Sequence, residues 1–224
     1  MLDHPATRVG PSRRARRSGR MSDGAGEDLV VLAVPRDPVE VEAWLLDGLL
    51  RCPSCVDGVL GPWGFARERE LRGPTGRERR RFRRTRCRAC RTTHVLVPTT
   101  TLLRRLDLIE VIGPALLARG TGLGHRRIAV ALGRPATTVR GWLRRFERRA
   151  AEVRVLAAQL ANRWDADLGP IAPRGSPTAD AVEALGLAAA AFVRRFGPFE
   201  GTPWQVVSGM TGTLLLSTAP IPQR

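Results

Sequence analysis

The sequence predicts an α+β fold, mostly α: a small cysteine-bound β-hairpin module, then a helix-turn-helix bundle, then C-terminal helices. Three observations predict it. Two Cys-x-x-Cys pairs, Cys52/Cys55 and Cys87/Cys90, sit at the ends of two strand-like stretches joined by the turn Gly73-Pro74-Thr75-Gly76. Residues 126–149, RRIAVALGRPATTVRGWLRRFERR, read as a helix, a tight turn and a second, arginine-studded helix. After Arg149 the chain is helical or linker-like in composition, without strand-like runs.

Composition limits what such a fold serves. A chain of 224 residues can bury a core in one or two domains. Its net charge of +16 points to a polyanionic partner, either nucleic acid or an anionic membrane surface. Every basic side chain except the histidines is arginine, because the chain has no lysine. A GC-rich coding sequence accounts for arginine over lysine, but not for the excess of arginine over acid. The N-terminus has charge without an apolar core segment, so no signal peptide is expected. The apolar stretch 206–216 is too short to span a bilayer and is broken by Gly209 and Gly212. Four cysteines in two close pairs, without an export signal, favour a metal site over disulfides and a reducing cytoplasm.

In chain order, residues 1–26 are Arg, Ser, Gly and Pro with little to bury, and read as a disordered basic arm. The cluster RRARR at 13–17 is either a phosphate-binding arm or a product of start-site choice, since Met21 offers a second start. Residues 30–34 read as a short strand. Asp37-Pro38-Val39-Glu40 has the elements of a capped helix start, with Val41, Trp44, Leu45 and Leu49 as its apolar stripe. Residues 63–72 and 77–86 read as the two strands of the hairpin, and 94–97 as a third. This module, with its leading helix, spans 38–98.

The second module, 102–150, opens on a helix at 102–118 with Leu106, Ile109, Ile112 and Leu116 on one face and Pro114 as a kink or restart. Gly120, Gly122 and Gly124 form a connecting loop. In the helix pair that follows, Ala129 permits close approach and Gly133 suits a turn of positive φ. Val139 and Trp142, three apart, share one face. From Ala136 no breaker except Gly141 occurs before Arg163, so the second helix is expected to run on. Within the C-terminal region, 151–222, residues 170–177 read as a linker. Residues 179–196 form an alanine-rich helix, and a last helix starts at Thr202-Pro203; the two are expected to pair as a small hairpin.

The chemistry lies in four places. Cys52, Cys55, Cys87 and Cys90 form a doubled knuckle whose four thiolates complete a tetrahedron around one ion and leave no open position for a catalytic water. That describes a zinc ribbon with one structural Zn2+, contributing about 10–16 kcal/mol of apparent binding energy to folding. His94 reads as a packed or exposed structural histidine, with a ligand or DNA-contacting role as the alternative. The hairpin carries many more arginines than acids, and alternation puts Arg79, Arg81 and Arg83 on one face for phosphate contact. On the helix pair, Thr137, Thr138, Arg140 and Arg144 are candidates for base edges, and Arg126, Arg127, Arg134 and Arg145 for phosphates. Arg148 and Arg149 read as solvating the helix.

The run CPSC…GPWGFARERELR…RRTRCRACRTTHVLVP…GHRRIAVALGRPATTVRGWLRRF, from 52 to 146, resembles a bacterial family of zinc-ribbon plus helix-turn-helix proteins. These are related to the DNA-binding N-terminal portions of insertion-sequence (DDE-type) transposases. The resemblance implies zinc on the four cysteines, a homeodomain-like bundle with a DNA-binding helix from Ala136, and genes that often lie beside integrases. The chain departs from a whole transposase because no catalytic domain follows. After Arg149 only Glu152, Asp165, Asp167, Asp180, Glu183 and Glu200 remain as carboxylates, outside any strand. Absence of tyrosine excludes tyrosine recombination, and absence of lysine excludes a Walker A loop and Schiff-base chemistry. The expectation is a non-enzymatic, cytoplasmic, nucleoid-associated protein that binds double-stranded DNA. It would be transposon-associated or transposase-derived, with a transposase or integrase as a possible partner and homodimerisation through the C-terminal helices. The alternatives are a transcriptional regulator, or a ribbon that docks on polymerase or a transposase.

Overall fold

The computed structural model describes residues 31–55 and 57–221. The basic arm expected at 1–26 lies outside them. The described chain is α+β, with seven helices and a small sheet region among those residues.

Strand β1 (Val31–Val34) leads into helix α1 (Pro38–Leu46). Asp37 caps that helix by accepting from the Val39 amide at 2.9 Å, and Pro38 occupies the first turn where its missing N–H costs nothing. The helix is shorter than its apolar stripe suggests. The Leu49 amide donates to the Trp44 carbonyl and the Gly48 amide to Leu45, with Gly48 at φ +67°. This reversal satisfies the last carbonyls and turns Leu49 out to solvent, while Val41, Leu45 and Leu50 are buried.

The predicted long hairpin is two hairpins end to end. Strand β2 (Leu60–Phe65) pairs antiparallel with β5 (Arg83–Cys87). Strand β3 (Arg69–Arg72) pairs with β4 (Arg77–Arg80) as a separate ribbon. The break falls where Phe82 turns inward to join Leu71 and Val97 in a small apolar cluster. A register shift between Pro62 and Phe65 marks a bulge in β2. Strand β6 (Thr93–Pro98) completes a four-stranded sheet of order β1-β6-β5-β2, in which β1 lies parallel to β6. α1 covers one face of it through Val41 and Leu45, packed with Leu60, Cys87 and Leu96.

The helical part begins later than expected. α2 spans Ile109–Gly120 and contains Pro114, whereas 102–108 is irregular. There the Ile109 amide donates to Thr100, Thr101 bridges Leu108, and Asp107 is drawn inside. Leu106, expected on the helical stripe, is consequently exposed. α3 (His125–Leu132) and α4 (Ala136–Glu147) follow. Between them Gly133 takes φ +60°, ψ +39°, and the Arg134 amide donates to Ala129 across the turn. A side chain at that φ would be strained, so glycine suits a sharp reversal here.

α4 does not run on to Arg163. It stops at Glu147, and α5 (Ala150–Trp164) starts afresh. The cause is Arg149, which turns inward rather than solvating the helix. Its guanidinium donates to the carbonyls of Leu214 (2.7 Å) and Ser217 (2.6 Å) and pairs with Glu152 at 2.8 Å. α6 (Pro177–Phe196), capped by Ser176, packs along α5 and α2, and α7 (Pro203–Met210) packs on α6 and α2. One apolar cluster therefore runs from Leu102 through Trp142, Phe146 and Leu185 to Ile221, crossing residue 150 without a gap. None of the described helices is long and apolar enough to cross a membrane.

Candidate metal centre and arginine surface

The turn after α1 carries Cys52 and Cys55, and the end of β5 and the turn beyond it carry Cys87 and Cys90. Pairing of β2 with β5 sets Leu60 opposite Cys87 and so brings the two knuckles together. All four sulfurs lie within 4.8 Å of one another. Cys52 and Cys90 are 3.7 Å apart, and Cys55 and Cys87 are 3.6 Å apart. A tetrahedron of thiolates about 2.3 Å from a metal has edges of about 3.8 Å, so the set fits a single ion.

Backbone amides favour charge on these sulfurs. The Ser54 amide donates to Cys52 Sγ and the Cys90 amide to Cys87 Sγ, each at 3.4 Å. Hydrogen bonding from Thr92 brings the Cys90 thiol down to about 6, whereas burial pushes Cys55 up to about 12. A metal would draw the protons from all four. Gly58 sits against the cluster: a Cβ there would lie 2.3 Å from Cys87 Sγ and 2.6 Å from Cys55 Sγ. His94 is fully buried beside the site, its Nε2 3.4 Å from Cys52 Sγ. It belongs to the packing around the thiolates and is not exposed to a solvent-side partner.

The predicted DNA-contacting residues divide sharply. On α4, Thr137, Arg140 and Arg144 are exposed and Thr138 half-buried, while Val139, Trp142, Leu143 and Phe146 are buried on the other side. Arg126 and Arg127 on α3 are also exposed. Arg145 folds back, donating to the Gly141 carbonyl of its own helix at 3.0 Å.

Arg134 departs most from expectation. Its Nε donates to Asp107 at 2.7 Å and a terminal nitrogen to the Gly73 carbonyl at 3.0 Å. Asp107, only 2% exposed, also accepts from Arg72 at 2.8 Å. One carboxylate thus ties β3 to the α3–α4 turn, and Arg134 is spent on structure instead of standing ready for a phosphate.

The hairpin arginines diverge in the same way. Arg79 and Arg81 are exposed, Arg79 loosely paired with Glu68 at 3.8 Å and Arg81 5.5 Å from the Phe65 ring centre. Arg83 does not share their situation. It pairs with Glu42 of α1 at 2.7 Å, donates to the Gly64 carbonyl and stacks over Phe65 at 4.6 Å. The strand break at Phe82 defeats the alternation that grouped the three. Sequence reasoning missed Asp107, Gly58, Arg72 and Glu42. A signal existed for Asp107, a lone acid in the otherwise apolar and basic run 102–109.

A cavity of about 1230 Å³ lies between α1 and the α5–α7 helices, with Trp44, Trp164, Phe192 and Phe199 in its lining. It contains none of the residues expected to contact DNA. Comparison with protein-family models, with curated proteins and with solved structures finds no match.

Proposed function

We propose that this protein is a zinc-containing, double-stranded-DNA-binding protein, transposase-derived or transposon-associated, that binds without catalysing a reaction. In this reading α3 and α4 are a helix-turn-helix, and α4 enters the major groove. The β2–β5 hairpin is a zinc ribbon whose ion holds the fold. The observation that carries the reading is the two-sided character of α4. Its apolar face is fully committed to the core, while Thr137, Arg140 and Arg144 are exposed, with no ion pair or hydrogen bond from either guanidinium among the described residues. Arginine can make two hydrogen bonds to guanine, and threonine can meet a thymine methyl or a base-edge acceptor. The net charge of +16 supports a polyanionic partner. Four thiolates close a metal site, which favours a structural ion over a catalytic one.

The test is selection of bound sequences from a random duplex pool with the full, metal-loaded chain. Enrichment of a common motif, lost in Arg140→Ala/Arg144→Ala, is the expected result. No enrichment, together with weak binding that is indifferent to salt, would overturn the reading. A motif matching inverted ends of a neighbouring mobile element would favour the transposon role, and a motif in the gene's own promoter would favour a regulator.

A further inference from the structure

The β3–β4 ribbon is built in a way that folding alone does not explain. Of its four cross-strand pairs, two set arginine opposite arginine: Arg69 with Arg80 and Arg72 with Arg77. Like charges directly opposite destabilise a ribbon. Arg72 is neutralised by the buried Asp107, and Arg80 pairs with Glu78 at 3.5 Å. Arg77 and Arg79 make pairs with Glu70 and Glu68 in which both partners are widely exposed, the kind worth little in water. Arg67 and Arg69 are exposed and have no carboxylate partner among the described residues. Arg67, Arg69, Arg72 and Arg77, with Glu68, Glu70 and Leu106, border a concavity of about 440 Å³ on this ribbon, so arginines outnumber carboxylates in it by four to two.

The ribbon is also fixed in place. The Arg72 amide donates to Leu106 at 2.7 Å and the Leu108 amide to Arg72 at 3.0 Å. Asp107 and the Gly73 carbonyl bind Arg134, two residues before α4 begins. The ribbon tip is therefore bolted to the turn that delivers α4.

We infer that this arginine-lined concavity is a second DNA site, which seats backbone phosphates of the same duplex that α4 reads, in a register set by the Asp107 clamp. The inference rests on the DNA-binding reading above. Phosphates would supply the counter-charge that Arg67 and Arg69 lack among the described residues, which gives the arrangement a use. Because Arg67 and Arg69 have no acidic partners, replacing them orphans nothing, and the fold should tolerate it.

The experiment uses the full metal-loaded chain and a labelled random-sequence 30-base-pair duplex, with affinity measured across salt concentrations. Arg67→Ser/Arg69→Ser should flatten the slope of log affinity against log salt by about 1.8 and weaken binding about 30-fold at 0.15 M salt, as expected for two lost phosphate contacts. Arg154→Ser/Arg195→Ser removes the same charge from α5 and α6 and should stay within about twofold of wild type. Arg67→Lys/Arg69→Lys should keep most of the slope. If the two serine variants behave alike, the ribbon is only part of a diffuse field and the inference fails, while loss of sequence preference in Arg140→Ala/Arg144→Ala leaves the reading of α4 standing. A flat salt response of the wild type would overturn both.

Discussion

Asp107→Asn tests whether one buried carboxylate holds the ribbon to the α3–α4 turn. The side chain is 2% exposed and receives Arg72 at 2.8 Å on one oxygen and Arg134 at 2.7 Å on the other. Asparagine keeps the volume and one acceptor, but turns an amide NH2 toward the second guanidinium. One charge-assisted hydrogen bond, worth about 1.5–3 kcal/mol, is lost outright. Breaking a fully buried pair costs about 3–5 kcal/mol. The guanidiniums here retain 33% and 18% exposure and can recover some hydration. The expected loss is therefore about 2–3 kcal/mol, a large part of an ordinary domain's stability. Urea unfolding followed by tryptophan fluorescence reads it, with an unchanged m-value as the check that the same surface is exposed. A cycle with Arg134→Ala should show a coupling of about 1 kcal/mol or more. A loss under about 0.5 kcal/mol, or strict additivity in the cycle, would refute the clamp.

Other perturbations follow from the same geometry. Gly58→Ala drives a Cβ to 2.3 Å from Cys87 Sγ, so the thiolate set must spread. Metal affinity, read by competition with a chromophoric chelator, should fall at least about tenfold, and an unchanged affinity would show that the knuckle simply shifts. Gly113→Ala would meet the Trp204 ring at 2.2 Å, where α2 and α7 touch, and should cost about 1–3 kcal/mol in thermal unfolding. Hydrogen bonds from Arg149 hold Glu152 below the ordinary carboxylate range. A depressed carboxylate adds stability above its unfolded pKa and loses it as pH falls through the folded one. Glu152→Gln should therefore be less stable than wild type near neutral pH and indistinguishable from it in strong acid. A difference that persists in acid would mean the pairing is not electrostatic.

What was legible in the sequence was what short-range chemistry dictates. A metal demands thiols at fixed spacing, so Cys52, Cys55, Cys87 and Cys90 announce their meeting without any knowledge of the sheet. The α3–α4 reversal was legible for a similar reason. Gly133 supplies the positive φ, and Ala129, Val139 and Trp142 keep helical spacing into the core. What was not legible depends on partners far along the chain. β1 lies beside β6 across some sixty residues, and nothing local in either strand specifies a parallel neighbour. The apolar spacing of 102–118 suited a single helix, yet the start moved to Ile109 once Asp107 was claimed by Arg72 and Arg134. α4 and α5 looked continuous because the carbonyls that capture Arg149 belong to Leu214 and Ser217.

In a chain whose only strong cation is arginine, the proposed DNA-binding reading has that one side chain serve both architecture and recognition. Residue type therefore does not separate the two roles, and position along a helix does so only in part. Arg134 and Arg140 stand six residues apart, and both looked equally fit for DNA. Arg134 is tied down by Asp107, whereas Arg140 extends into solvent from a helix whose opposite face is buried. Arg81 and Arg83 divide in the same way, because Glu42 reaches Arg83. The sorting agent in each case is a carboxylate distant in sequence: twenty-seven residues away for Arg134 and forty-one for Arg83. A paired guanidinium must give up its carboxylate to take a phosphate, so such residues should contribute least to the salt dependence of binding. The few acids of this protein thus decide which of its many arginines remain free to meet a polyanion.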